Sequence, residues 1–245
     1  MIISCGDLVQ AGNFKLHSSF LKVINYTDGT IIQSLVVPEV GGGPFNLVVD
    51  ELPSPIPDQY HFSKLVDQSN IFYSQLSIDL SRLYDGLDSF ISYYKRNAPE
   101  HSLAFLFDPS REAHFQGAFL QELVKQFKTA FNAIKNGEKA KGISLFKGLG
   151  IGLTPSGDDF NGGYLLGLYL KNVPLAQRNS LYGLSLGDNL LSNSFLWINK
   201  EGRISEAYLK ILETITEKVY PASLLEIGAT SSADWASGLI AALTH

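Results

Sequence analysis

The sequence predicts an α+β protein, a β-rich N-terminal half followed by an α-helical C-terminal half, read as a β-rich domain over 1–110 and a helical domain over 111–245. Three observations predict this. Short runs rich in Val, Ile and aromatic residues, broken by turn residues, fill the first 78 or so positions. From about residue 112 apolar residues recur at steps of four. A Thr-Pro pair at 154–155 then reads as a helix start inside a glycine-rich loop. The 245 residues, 45% hydrophobic and 18% charged, suffice for a buried core in one large or two small domains.

The elements follow in order. "FKLHSSFLKVINY" reads as strand, "TDGT" as turn and "IIQSLVVPEV" as strand. Asp28-Gly29 marks a hairpin, because both residues tolerate the positive φ such turns demand. "GGGPFNLVVDEL" starts another strand, the three prolines of "LPSPIPDQY" make an extended surface loop, and "IFYSQLSIDL" is a further strand candidate. The texture changes around "NAPEHSLAFLFDPS". Beyond it, Phe115, Phe119, Leu123, Phe127 and Phe131 build one apolar helical stripe, which Asn136-Gly137 stops. "GDDFNGGYLLGLYLKN", "DNLLSNSFLWIN", "ISEAYLKILETITEKVY" and "SADWASGLIAALTH" read as helices, with Pro174 and Pro221 near helix starts.

Composition excludes several classes. A net charge of −5 without a basic face argues against nucleic-acid partners. Cys5 stands alone, so neither a disulfide framework nor a cysteine metal cluster is expected. His17, His61, His101, His114 and His245 lack metal-ligand spacing, and no histidine metal site is expected. The N-terminus lacks the basic start and apolar run of a secretory signal. No apolar run approaches the roughly 20 residues of a membrane span. The expectation is a soluble, cytoplasmic protein with no membrane partner.

"GLGIGLTPSGDDFNGG", residues 148 to 163, carries the chemistry. Proline favours the first helical position, which makes Thr154 the natural N-cap. Gly148, Gly150 and Gly152 let the preceding backbone turn tightly and present its N–H groups. A phosphate-like or carboxylate anion would meet those amides, the Thr154 and Ser156 hydroxyls and the positive end of the helix dipole. Asp158 and Asp159 oppose that anion by about 4 kcal/mol per contact at 4 Å and an effective dielectric of 20. Three arrangements resolve the conflict: a divalent ion, such as Mg2+ at Asp158, a neutralising basic residue, or acids that point elsewhere. Adjacent helical residues diverge by roughly 100°, so the two acids have different jobs. If Ser156 is the cap instead, Asp159 closes a capping box; either register leaves Asp158 as the functional acid. The plain structural alternative is a capped helix, worth ~1 kcal/mol, whose Gly163 and Gly167 form a smooth packing face. The stretch has neither the Lys-Ser/Thr of a Walker A loop nor the frame of a dinucleotide fingerprint.

The same stretch resembles the signature of a bacterial family that includes the AllH-type subunit of oxamate carbamoyltransferase, from anaerobic allantoin breakdown. "LHSSFLKVINY", "VPEVGGGPFNLVVD", "NSFLWINKEGRISE" and "LLEIGATSSADWASGLIAAL" resemble other family segments in the same order. The resemblance implies a subunit of an enzyme converting oxalurate and phosphate to oxamate and carbamoyl phosphate. A small anionic metabolite and two other subunits would be its partners. It also implies a set of site residues: Asp158, Asp159 and His17 as catalytic groups, and Gly150, Gly152, Thr154, Ser156, Gly157, Ser18, Thr230, Ser231 and Asp234 around the ligand. The chain departs from the family pattern at four places. Ile151 replaces a common proline, Asn161 an apolar residue, Ala229 a histidine and Ser232 a glycine.

Each candidate has a bland counterpart. "GATSSAD", residues 228 to 234, is either a capping-box variant, Ser231 with Asp234, or a second helix start aimed at the same ligand. His17 is either a catalyst or a half-buried strand residue. Lys147, Arg178 and Arg203 are possible anion partners, though long basic side chains are usually solvated. Two function classes stay open: a carbamoyltransferase subunit, and a non-catalytic metabolite-binding or assembly subunit. The paired aspartates lean to the first and Ala229 to the second.

Overall fold

Strands form where β-branched and aromatic residues cluster between turn signals, and helices where apolar residues recur every three to four positions. The computed structural model describes residues 1–63, 68–225 and 228–245 and has an α+β architecture. The chain divides into two compact units, Met1–Ser77 with Arg203–Lys210, and Ile78–Gly202 with Ile211–His245.

In the first unit, β1 (Ile2–Gly6), β2 (Gly12–Ser19), β3 (Val23–Thr27), β4 (Ile32–Val36), β5 (Asn46–Val49), β6 (Gln59–Phe62) and β7 (Ile71–Phe72) form a sheet of order β6-β2-β3-β4-β5-β1-β7. The Asp28-Gly29 signal holds: β3 and β4 pair antiparallel, and Asp28 Oδ1 accepts the N–H groups of Thr30 and Ile31 inside the turn. Central β4 is buried throughout, and Tyr26, Leu35, Leu47, Phe14 and Phe62 pack the core. "FKLHSSFLKVINY" is two strands, with an irregular register between Leu16 and Ser18 of β2.

The second unit holds α1 (Leu80–Asn97), α2 (Ala118–Lys135), α3 (Lys139–Phe146), α4 (Ser156–Leu170), α5 (Leu175–Ser185), α6 (Leu190–Lys200) and α8 (Ser231–Thr244); α7 (Glu206–Glu217) begins in the first unit and ends in the second. Helical structure thus starts well before residue 112. Of "IFYSQLSIDL" only Ile71–Phe72 is strand. α1 begins at its last residue: Asp79 caps the N–H groups of Ser81 and Arg82, and Leu83, Leu87, Phe90 and Tyr94 are buried at helical spacing.

The phenylalanine stripe is only partly buried. Phe127 and Phe131 enter the core, whereas Phe119 is 64% exposed and Phe115 precedes the helix. A step of four advances about 40° beyond a full turn, so from 131 back to 119 the stripe winds about 120° off the buried face. At the other end, the Gly137 N–H bonds the Ile134 carbonyl and the Glu138 N–H that of Ala133, with Gly137 at φ 83°, the glycine stop expected of Asn136-Gly137. Pro174 stands immediately before α5, but Pro221 opens a turn closed by the Leu224 N–H, not a helix. Among the described residues no helix is long and apolar enough to cross a membrane.

Candidate functional site

The loop before α4 turns as its glycines require. Gly148, Gly150 and Gly152 all have positive φ, at 64°, 120° and 110°. Gly157 is needed for a different reason: a Cβ there would lie 1.9 Å from the Phe146 carbonyl oxygen. The cap differs from both registers read from sequence. α4 begins at Ser156 with Pro155 in the cap position and no side-chain cap bond; the Asp158 and Asp159 N–H groups bond the Pro155 carbonyl. The Gly157 N–H bonds the Leu149 carbonyl at 2.8 Å. Loop carbonyls therefore satisfy much of the first turn, and the side chains of Thr154, Ser156 and Asp159 are released from capping.

Asp158 folds back on the loop. Its Oδ1 accepts the Gly148 N–H at 2.7 Å, and its side chain is buried. Burial raises its pKa, against the Gly148 bond, the Ser192 hydroxyl and the charge of Lys147, which all favour the carboxylate. Lys147 is thus the basic residue whose charge bears on the loop. Arg178 instead bonds the Val173 and Lys200 carbonyls, and Arg203 pairs with Asp7 at 2.7 Å in the first unit.

A second helix start meets this one. A Cβ on Gly163 would lie 1.8 Å from the Trp235 carbonyl oxygen, and one on Gly238 1.8 Å from that of Phe160. Gly167 likewise faces the Ala242 methyl. Contacts that advance together along both helices mean that α4 and α8 run parallel, backbone against backbone, with their N-termini side by side. Thr154 Oγ1 and Ser231 Oγ are 3.3 Å apart. The smooth glycine face and the convergence of two hydroxyl-rich helix starts are therefore one feature.

Between these starts lie Asp159 and Asp234. Asp234 is fully buried, and its Oδ1 accepts the Leu103 N–H at 2.6 Å in place of closing a capping box. Burial lifts its pKa to about 7, opposed by the Leu103 bond and the hydroxyls of Ser156 and Thr230. Asp159 is held well above the ordinary carboxylate range, first by burial and then by the charge of Asp234, with the Ser231 hydroxyl opposing. Oδ2 of each is buried with no hydrogen-bond partner among the described residues. The Leu103 N–H was not legible in the sequence, since it reaches the site from a 3-10 turn at Leu103–Leu106.

The structure thus brings together Gly150, Gly152, Thr154, Ser156, Gly157, Asp158, Asp159, Thr230, Ser231 and Asp234 in the second unit. His17 and Ser18 belong to the first unit. There the exposed His17 ring nitrogen Nδ1 is 3.0 Å from Ser18 Oγ, which also accepts from Asn25 Nδ2, and Ser34 donates to Asn25 Oδ1. His17 is more exposed than a half-buried strand residue.

Three of the family departures leave marks. The Asn161 Oδ1 and Ser232 Oγ atoms are buried without partners among the described residues, where the resemblance expects an apolar residue and a glycine. Ala229 adopts φ 59°, a left-handed backbone uncommon for a residue with a Cβ. Glu226 and Ile227, within the last family-like segment, lie outside the described residues. Among the described residues no three His, Cys, Asp or Glu side chains are grouped to hold a metal ion.

The family described as oxamate carbamoyltransferase subunit AllH matches residues 146–243, which run from the glycine-rich loop through both helix starts. It is the family that the sequence resembles. His17 and Ser18 fall outside the matched span. No curated protein and no solved structure matches the chain.

Proposed function

We propose, with the family match over residues 146–243 as premise, that this chain is a subunit of an oxamate carbamoyltransferase or a relative of one. In this reading it binds phosphate, carbamoyl phosphate or a small carboxylate at the start of α4. One observation carries the ligand site: two parallel helices place their positive ends together, with the Thr154 and Ser231 hydroxyls at the meeting point. Those groups suit a ligand's anionic end, and carboxylates suit the N–H groups of a carbamoyl end. In the transfer, a phosphate oxygen bonds the carbamoyl carbon as the bond to the oxamate nitrogen breaks and that nitrogen gains a proton. The helix ends would stabilise negative charge as it develops. Asp158, tied to Gly148, holds the loop in its bound form. The family description as a subunit supports other subunits of such a complex as partners.

Ala229 favours the second reading, a non-catalytic metabolite-binding or assembly subunit, because a methyl group has no proton to give where the resemblance expects a histidine. Both readings require the ligand. Phosphate, carbamoyl phosphate and oxamate should each be tested by thermal denaturation of the isolated chain. A ligand about tenfold above its Kd should raise Tm by roughly 3–6 °C, and Thr154→Val with Ser231→Ala should abolish the rise. No shift with any of the three at millimolar concentration rejects the site.

A further inference from the structure

We infer that Asp159 and Asp234, with the hydroxyls around them, form a binding site for one hard divalent cation of the Mg2+ or Mn2+ kind. Its link to the anionic ligand rests on the reading above; the cation site itself does not. Asp159 lies within reach of the Asp234 charge, and each carboxylate keeps one buried oxygen, Oδ2, with no hydrogen-bond partner among the described residues. Asp234 is fully buried, so water at the surface does not satisfy that oxygen. An ionised carboxylate in such a place is held by a cation or surrenders its charge.

The surroundings narrow the choice. No positive side chain is among the main influences on Asp159, where the charges are those of Asp234 and Asp158, or among those on Asp234. Lys147 acts on Asp158, whose Oδ1 is already committed to Gly148. Apart from the Leu103 N–H on Asp234 Oδ1, the groups next to the pair are hydroxyl oxygens: those of Thr154 and Ser231 beside Asp159, and of Ser156 and Thr230 beside Asp234. Oxygen-only donors select hard cations over zinc or copper, which favour imidazole and thiolate. Two carboxylates without a third are what Mg2+ uses, because it keeps several waters and fills further positions with substrate phosphate. This places the cation at Asp159 and Asp234 rather than at Asp158, where a divalent ion was one of three arrangements the sequence left open. It also removes the conflict between acids and anion at one helix start.

The test is a Mn2+ titration of the full chain, stripped with EDTA and free of phosphate, followed by electron paramagnetic resonance, with competition by Mg2+. One Mn2+ per chain is expected, displaced by Mg2+. Even outer-shell changes weaken metal sites about 10–100-fold, so Asp159→Asn and Asp234→Asn should weaken binding at least that much. Glu122→Gln, an exposed carboxylate on α2 that pairs with Lys125 outside the site, should leave Mn2+ binding unchanged. Far-UV circular dichroism checks folding; if Asp234→Asn unfolds, Asp159→Asn alone decides. Absence of saturable Mn2+ binding, or binding undiminished in a folded Asp159→Asn, overturns the cation site and leaves a shared proton as the occupant of the pair. A phosphate-induced rise in Tm is then measured with and without Mn2+. Bound Mn2+ with no phosphate effect upholds the cation and rejects the anion reading; a phosphate effect without Mn2+ binding does the reverse.

Discussion

Asp158 and Asp159 are neighbours in sequence with separate tasks, and the division is set by where each side chain's hydrogen bonds go. Asp158 spends its Oδ1 on the Gly148 N–H, so Asp158→Ala should free the loop. A lost hydrogen bond to a charged group costs about 1.5–3 kcal/mol, to be read as a fall in unfolding free energy together with faster amide exchange at Gly148. Stability recovered fully in Asp158→Ala would reject the brace. Ala229 offers the opposite change. Its φ of 59° is strained for any residue with a Cβ, so Ala229→Gly should stabilise the chain by about 1 kcal/mol in denaturant unfolding. The divergence of the two acids was legible from helical geometry. That Asp159 would come within reach of Asp234 was not, because 74 residues of intervening chain and a 3-10 turn at Leu103–Leu106 decide it.

At the level of elements, the pairing of α4 with α8 is what makes a site from two ordinary helix starts. Gly163, Gly167 and Gly238 allow backbone contact, and a methyl at Gly238 would stand 1.8 Å from the Phe160 carbonyl. Gly238→Ala should therefore force the helices apart and cost at least about 1–3 kcal/mol, the range for overpacking, while weakening ligand-induced stabilisation more than stability alone explains. Unchanged Tm and ligand response in that variant would reject the close pairing as the basis of the site. Helices with strong local signals, such as α2 with its Gly137 stop, were readable in advance. α1 fell inside the stretch assigned to the β-rich domain, although Asp79 and the spacing of Leu83, Leu87, Phe90 and Tyr94 carried a helical signal. The cap of α4 was misread because Pro155 itself closes the turn, leaving Thr154 to meet Ser231.

Across the whole molecule, the chain returns to its first unit at Arg203–Lys210 after building most of the second. Arg203 pairs with Asp7, and Glu206 accepts the Gly42 N–H at 2.8 Å. That bond, with Lys210, holds the Glu206 pKa below its ordinary 4.5. A depressed folded pKa means that the stabilisation is present above pH 4.5 and fades as pH falls through the lower folded value. Amide exchange at Gly42 should thus accelerate below pH 4.5 beyond its intrinsic rate, and Glu206→Gln should remove that step. A step retained in Glu206→Gln would assign it to another group. The broad α+β order was legible from texture, while the return of a C-terminal segment to the sheet unit depends on contacts far apart in sequence.

The central claim is that the paired starts of α4 and α8 bind an anionic metabolite. Its most direct measurement is a titration of the isotopically labelled chain with carbamoyl phosphate, in the presence of Mg2+, followed through backbone amide resonances. The account predicts saturable shifts largest at Ser156, Gly157, Ser231 and Ser232, absent when Thr154 and Ser231 lose their hydroxyls. Shifts that centre elsewhere, or none at millimolar ligand, would contradict it.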